Sequence, residues 1–250
     1  MTRRLGIAII FLALAAFGQR SAASFEVPSV KKAESGGPPG DIPRNMDTSP
    51  GHFAMRNVPM RYMLEWAYSL HDYELAGPDW IRGEERYDIF AHASGPATDD
   101  EMRLMLQALL LERFQMKVHR ETREMPAYLL LPGKGTAKVK ESATDSQPRL
   151  IPGKNGEVTF QHFALSRLTF LLTRRMDHPV LDQTGLNGTY DYTLDLSGLA
   201  EFSGQPNPDA SGMSIFAAVE HDLGLKLEAR KKQPIAVLVV DAVSKVPTAN

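Results

Sequence analysis

The stretch Leu104–Leu131, LMLQALLLERFQMKVHRETREMPAYLLL, decides the fold. With Met102 just ahead of it, Leu106, Leu109 and Leu110 recur at helical spacing, so its first part is a helix with one buried face. Met116–Arg123 and Ala127–Leu131 are then expected as the two strands of a hairpin turning at Glu124-Met125-Pro126. The same order returns at Ile215–Val240, IFAAVEHDLGLKLEARKKQPIAVLVV, where Ile215, Val219 and Leu223 stand 109 residues after Leu106, Leu110 and Phe114. Gly224 should take the left-handed conformation that ends this second helix, and a closing hairpin is expected near Gln233-Pro234.

Working outward, the upstream halves match as well. Gly51–Val58 alternates like a half-buried strand, with Asn57 expected as a helix N-cap and Pro59 in the first turn. Met60, Met63, Leu64 and Ala67 follow at i, i+3, i+4 and i+7, and Leu165, Leu168 and Leu172 stand 105 residues after Met60, Met63 and Ala67. Phe25–Lys32 and Arg86–Ala93 read as strands, and Glu157–Phe163 opens the second copy. Short strands are expected at Tyr73–Ala76 and Pro179–Asp182. Thr98 with Glu101 forms a capping box. Tyr190-Asp191 takes the place of Tyr87-Asp88. The fold class is therefore α+β, as two copies of a β-α-β-β-α-β-β unit with antiparallel hairpins and helices on one face. The expected division is a leader at 1–23, a strand and linker at 24–50, a first repeat at 51–132, a linker at 133–156 and a second repeat at 157–246.

The front of the chain carries an address. Thr2-Arg3-Arg4 is basic, Leu5–Phe17 is an unbroken apolar run, and Ser21 and Ala23 fit the small positions before a cleavage site. These are the three parts of a secretory signal peptide, and the run is shorter than the ~20 residues a spanning helix needs. Cleavage near Ala23 would place the protein in the periplasm or outside the cell. It would remove three of 28 basic residues and none of 30 acidic ones, leaving a net charge of −5, which argues against a nucleic-acid partner. The chain has no Cys, so neither a disulfide nor a lipid-bearing Cys is available, and packing alone must hold the fold.

Several blocks now resemble a known family. They are FEVPSVKK, NVPMRYMLEWAY, AGPDW, ERYDIFA, the Leu104–Leu131 stretch, VLDQTGLNGTYDYTLD and GLKLEARKKQPIAVLVVD. Together they are similar to the DUF3738 family of exported proteins expanded in acidobacteria, over about Phe25 to Lys245. The resemblance implies no defined activity. It does imply that relatives sometimes carry this domain beside a membrane-bound BlaR-type metallopeptidase, a part whose H-E-x-x-H signature this chain lacks. Each half by itself resembles the short N-terminal module of secretins and TonB-dependent receptors, which docks protein partners in the cell envelope.

Candidate chemistry is sparse. Ser29-Val30-Lys31-Lys32 fits S-x-x-K, but it lies in an extended segment and no S-D-N or K-T-G follows. Seven His are scattered at 52, 71, 92, 119, 162, 178 and 221, none at the i, i+4 spacing of a helical metal pair. Gly133-Lys134-Gly135-Thr136 lacks the spacing of a phosphate loop. No cofactor, metal site or catalytic set is therefore expected. Two equivalent turns remain as places for binding: Asp79, Trp80 and Tyr87 in the first copy, and Asp182, Tyr190 and Asp191 in the second. The competing reading is that their aromatics anchor each turn to the core. The hairpin edges at His119–Arg123 and Arg230–Lys232 are charged, which guards against strand pairing.

The leading expectation is a non-catalytic binding protein whose partner is another envelope protein or a peptide. An alternative is a hydrolase or metal-dependent enzyme whose residues, among Asp79, Asp88, His92, Asp182 and Asp191, converge only in three dimensions. A third is a sensor module working with a separate BlaR-type membrane peptidase. Mass spectrometry of the exported protein should find a new N-terminus at about Ser24; an intact Met1 would refute the cleaved leader.

Overall fold

The structure is a computed structural model that describes residues 24–33, 46–49, 51–83, 85–142, 147–199 and 214–248. The expected signal peptide and most of the Ser197–Met213 insertion lie outside the described residues. The protein is mixed α+β, and its chain forms two compact units: Met1–His119 with Val239–Asn250, and Arg120–Leu238.

In the first unit, β1 (Phe25–Lys32), β2 (Met46–Asp47), β3 (His52–Pro59) and β5 (Arg86–Ala93) form one antiparallel sheet in the order β1-β5-β3-β2. Between β3 and β5 come α1 (Met60–Tyr68) and the two-residue strand β4 (Leu75–Ala76). Helix α2 (Asp99–Arg113) follows β5 and leads into β6 (Lys117–Pro132). Alternation puts Tyr87, Ile89 and Ala91 on the buried face of β5, and all three are fully buried. Met60, Met63, Leu64 and Ala67 of α1 and Met102, Met105, Leu106, Leu109 and Leu110 of α2 complete this core. Thr98 and Glu101 do form the capping box, with Glu101 accepting the Thr98 N–H at 2.9 Å. The last carbonyls of α1 are met from α2: Gln107 donates to the Ala67 carbonyl at 2.6 Å and Arg103 to that of Trp66.

In the second unit, β7 (Lys140–Glu141), β8 (Arg149–Pro152), β9 (Glu157–Phe163) and β11 (Tyr190–Asp195) form a sheet in the order β7-β11-β9-β8. Helix α3 (Leu165–Thr173) and β10 (Val180–Asp182) lie between β9 and β11. Helix α4 (Ile215–Leu223) precedes β12 (Leu225–Ala242). The core here gathers Phe160, Leu165, Leu168, Leu172, Leu194, Val219 and Leu223. Strand β10 runs parallel to β6, pairing Val180 with Tyr128, and β6 in turn neighbours β12. Gly224 is left-handed as expected, with φ +63°.

Two expectations fail. The hairpins at Glu124-Met125-Pro126 and near Gln233-Pro234 do not exist: β6 and β12 are continuous strands of 16 and 18 residues. Neither supposed turn contains Gly, Asn or Asp to supply positive φ, and Pro, with φ fixed near the extended region, fits a strand wherever its missing N–H is not needed. Each unit therefore takes one part of each long strand. In the second unit Lys232 faces Glu124 at 3.3 Å, and in the first His119 meets Asp241 at 2.8 Å.

The second correction concerns Asn57, which is not the N-cap residue of α1. Helix α1 starts after Pro59, which is extended, with ψ 149°. Asn57 is itself left-handed (φ +55°), at a bulge where the β3–β5 register shifts between Met55 and Val58. Its N–H donates to Asp88 Oδ1 at 2.8 Å. His162 repeats this in the second unit: φ is +53°, and its N–H donates to Asp191 Oδ1 at 2.8 Å.

An Asp88→Ala variant should lose about 1–2 kcal/mol of stability by orphaning that N–H. Asn57→Gly should be less destabilising than Asn57→Ala, because Gly takes φ +55° without steric cost. Thermal unfolding followed by circular dichroism checks both.

Candidate functional site

The two turns singled out above fall in different units. In the first, Asp79 and Trp80 lie in the 3-10 turn Asp79–Arg82, with Asp79 exposed. The Lys245 ammonium sits over the Trp80 ring, 5.5 Å from its centre. Tyr87 is fully buried, edge-on to Phe114 with ring centres 4.9 Å apart. Its hydroxyl donates to the Lys245 carbonyl at 2.8 Å, and burial pushes that hydroxyl up to about 12. Trp80 and Tyr87 thus hold the segment around Lys245 in place.

In the second unit, Asp182 accepts from the Thr184 N–H at 3.0 Å and the Thr184 hydroxyl at 2.7 Å, closing its own turn. Tyr190 is half-buried on β11. Asp191 accepts the His162 N–H and, at 2.7 Å, the Ser142 hydroxyl, and these bonds hold it below the ordinary carboxylate range. The carboxylates of Asp88, Asp182 and Asp191 therefore bond to backbone N–H groups and hydroxyls within their own units. None of the hydrogen bonds described joins them to one another.

What sequence reading missed is an ionic cluster in the first unit, beside the Asp79–Arg82 turn. Arg61 and Glu65 come from α1, Asp72 from the 3-10 turn Asp72–Glu74, and Arg82 from Asp79–Arg82. Arg61 donates to Asp72 Oδ1 at 3.0 Å, and Arg82 grips the same oxygen. Arg82 also donates to the Leu75 carbonyl at 2.7 Å. Glu65 Oε1 is 3.7 Å from Arg61 and is buried without a hydrogen bond. Burial, reinforced by the Asp72 charge, raises Glu65 to about 7 against the opposing pull of Arg61 and Arg82. Burial would also raise Asp72, but the Arg61 hydrogen bond and the two guanidinium charges outweigh it and hold Asp72 low. Near neutral pH Asp72 is therefore ionised while Glu65 lies close to its midpoint. The only signal in the sequence was Arg61 and Glu65 at i, i+4. Asp72 and Arg82 are brought in by the path of the chain after α1.

Among the described residues, no group of three or more His, Asp or Glu is gathered to hold a metal ion, and no helix is long and apolar enough to cross a membrane. A family model described as "Protein of unknown function (DUF3738)" matches residues 61–243. No curated protein and no solved structure matches the chain. The chain belongs to the DUF3738 family.

Glu65 gives stability a pH slope. Its folded value of about 7 lies above the ordinary 4.5, so between the two the folded state binds more protons than the unfolded one. Stability must then fall as pH rises through that window, and level off above it. Glu65→Gln should flatten that slope and be more stable than the native chain at pH 8, by on the order of 2 kcal/mol. Chemical denaturation at pH 5 and pH 8 measures both.

Proposed function

We propose that this member of the DUF3738 family is an exported cell-envelope protein that binds an extended segment of a partner polypeptide without acting on it chemically. The observation that carries the reading is β8. It is an edge strand of its sheet, paired with β9 on one side, and all four of its residues are exposed. Leu150 and Ile151 are 44% and 45% exposed. A strand edge offers a row of N–H and C=O groups that only another extended chain satisfies, and the neighbouring apolar side chains add affinity. The likeness of each half to the short envelope module that docks proteins supports the same reading.

The family architecture, on this reading, is two copies of one β-α-β-β-α-β unit, each closing in a single long strand. Several pairs of positions support it. The buried residues of α1 (Met60, Met63, Leu64, Ala67) stand 105 residues before those of α3 (Leu165, Leu168, Thr169, Leu172). The left-handed residues Asn57 and His162 are also 105 apart. Gln115 and Gly224, left-handed after α2 and α4, are 109 apart, the spacing that separates Leu106 from Ile215. Equivalent backbone strain at equivalent positions follows naturally from a duplicated gene segment. Among the described residues, only the second unit carries an exposed apolar edge of the β8 kind, so the two units would have diverged in function at that edge.

A second reading, a hydrolase, draws on the Glu65–Asp72 pair, whose two carboxyls differ in the way an acid and a base must. A paired assay separates the two. Mature chain immobilised and exposed to envelope extract should retain a partner. Leu150→Lys with Ile151→Lys, which places charge on the edge, should lower its recovery at least about tenfold. Glu65→Gln should leave recovery unchanged. Undiminished recovery by the double Lys variant rejects the docking edge.

A further inference from the structure

Two guanidiniums and two carboxyls meet beside α1, and they are not paired one to one. Arg61 Nη1 donates to Asp72 Oδ1 at 3.0 Å, and Arg82 donates to the same oxygen. Glu65, one helical turn beyond Arg61, places Oε1 3.7 Å from the nitrogen that Asp72 has taken. That Glu65 oxygen is buried and has no hydrogen-bond partner. One carboxylate thus holds both cations while the other carboxyl holds neither. A buried, ionised carboxyl left without a hydrogen bond costs far more than a protonated one. The arrangement is therefore the one expected with Glu65 protonated.

The bonds of the two arginines reach different places. Arg82 also donates to the Asp72 carbonyl at 3.0 Å and to the Leu75 carbonyl at 2.7 Å. All three of these bonds lie within the segment 72–82 and fold it on itself. Arg61–Asp72, by contrast, runs from α1 to the segment. Leu75 and Ile81 are buried and anchor the segment apolarly, so losing that tie shifts it without unfolding it. The charged groups acting on Glu65 are Arg61 from its own helix, Asp72 from the turn Asp72–Glu74 and Arg82 from the turn Asp79–Arg82. Other charged groups on the packed elements are turned elsewhere. Arg103 of α2 meets the Trp66 carbonyl and ring, and Arg56 of β3 lies over the Phe90 ring. Glu74 accepts the His71 N–H at 2.7 Å, and burial keeps the Tyr73 hydroxyl protonated.

We infer that Arg61 and Glu65 form a proton-operated latch for the segment 72–82. With Glu65 protonated, Arg61 holds Asp72 and ties the segment to α1. When the Glu65 proton leaves to solvent, two carboxylates face two guanidiniums. Arg61 then turns to Glu65, its i, i+4 neighbour on the helix, while Asp72 keeps Arg82. The tie to α1 opens. Burial raises Glu65 from the ordinary 4.5 to about 7, so the latch closes as pH falls through neutral and opens as pH rises. The segment carries exposed Asp79 and half-buried Trp80, so the latch sets how firmly that turn is held.

Hydrogen–deuterium exchange of the mature chain, read by mass spectrometry, tests the latch. Labelling is kept shorter than the time at which α2 exchanges, so that local opening alone is read. The native chain and Glu65→Gln, which mimics the protonated carboxyl, are compared at the same pH, so intrinsic exchange rates cancel. At pH 5 the two should exchange alike in 72–82. At pH 8 the native chain should exchange there about three- to fivefold faster than Glu65→Gln, the size expected for one partly exposed ion pair. Arg61→Gln removes the tie and should speed exchange in 72–82 at both pH values. In that background Glu65→Gln should no longer slow it. Circular dichroism confirms that the variants keep the fold. Equal exchange of 72–82 in the native chain and Glu65→Gln at pH 8 overturns the inference, and so does a slowing by Glu65→Gln that persists without Arg61. Failure here leaves the β8 docking reading standing, because the two share no residue.

Discussion

In each unit the strand entering the first helix is bent by one backbone N–H held on one carboxylate. Asn57 donates to Asp88 and His162 to Asp191, both at 2.8 Å and both from left-handed residues that bulge their strands. A left-handed non-glycine residue is strained and persists only where its surroundings fix it. The carboxylate supplies that fixation. With the bulge in place, the chain leaves the sheet at the angle that lets α1 and α3 lay their apolar faces on the core. The strand–helix junction, the register of β3 with β5 and of β9 with β11, and the burial of both helices all follow from it. Asp88 and Asp191 are thereby structural, although in sequence they look like polar groups waiting beside a turn.

The second constraint is the length of β6 and β12. Their middle portions, His119–Glu124 and Arg230–Gln233, are almost wholly exposed and densely charged. Such stretches gain nothing from burial and rely on backbone pairing and cross-strand ion pairs, of which Lys232–Glu124 is one. The apolar portions further along each strand, Ala127–Leu130 and Ile235–Val240, are the parts that enter cores. A polar interruption inside an apolar pattern reads as a turn in sequence. Here it is the solvated middle of a long strand.

The helices were legible because their signal is local. Met60, Met63, Leu64 and Ala67 are buried as their spacing implies, and Thr98 and Glu101 form the capping box that their separation of three suggests. Strands Arg86–Ala93 and Glu157–Phe163 matched residue for residue, since alternation over seven or eight positions leaves little freedom in where they begin and end. Candidate sites were much less legible. Tyr87 is a core residue joined to Lys245, a contact across 158 positions that no spacing announces. Arg61, Glu65, Asp72 and Arg82 converge because the chain doubles back after α1.

The sequence by itself determined the helices, the strands Phe25–Lys32, Arg86–Ala93 and Glu157–Phe163, and their apolar faces, because each depends on periodicity or capping within a few residues, and its blocks of resemblance pointed to the family. Tertiary structure alone decided that Pro126 and Pro234 lie within strands and do not turn the chain, since that depends on which neighbouring strand satisfies the backbone. It decided that Gln115 could end α2 in the left-handed conformation that Gly224 takes after α4. It also decided which acids brace the backbone and which gather around the guanidiniums of Arg61 and Arg82. Hydrogen-bond partners and strand register are relations between distant segments, and no single stretch of chain encodes them locally.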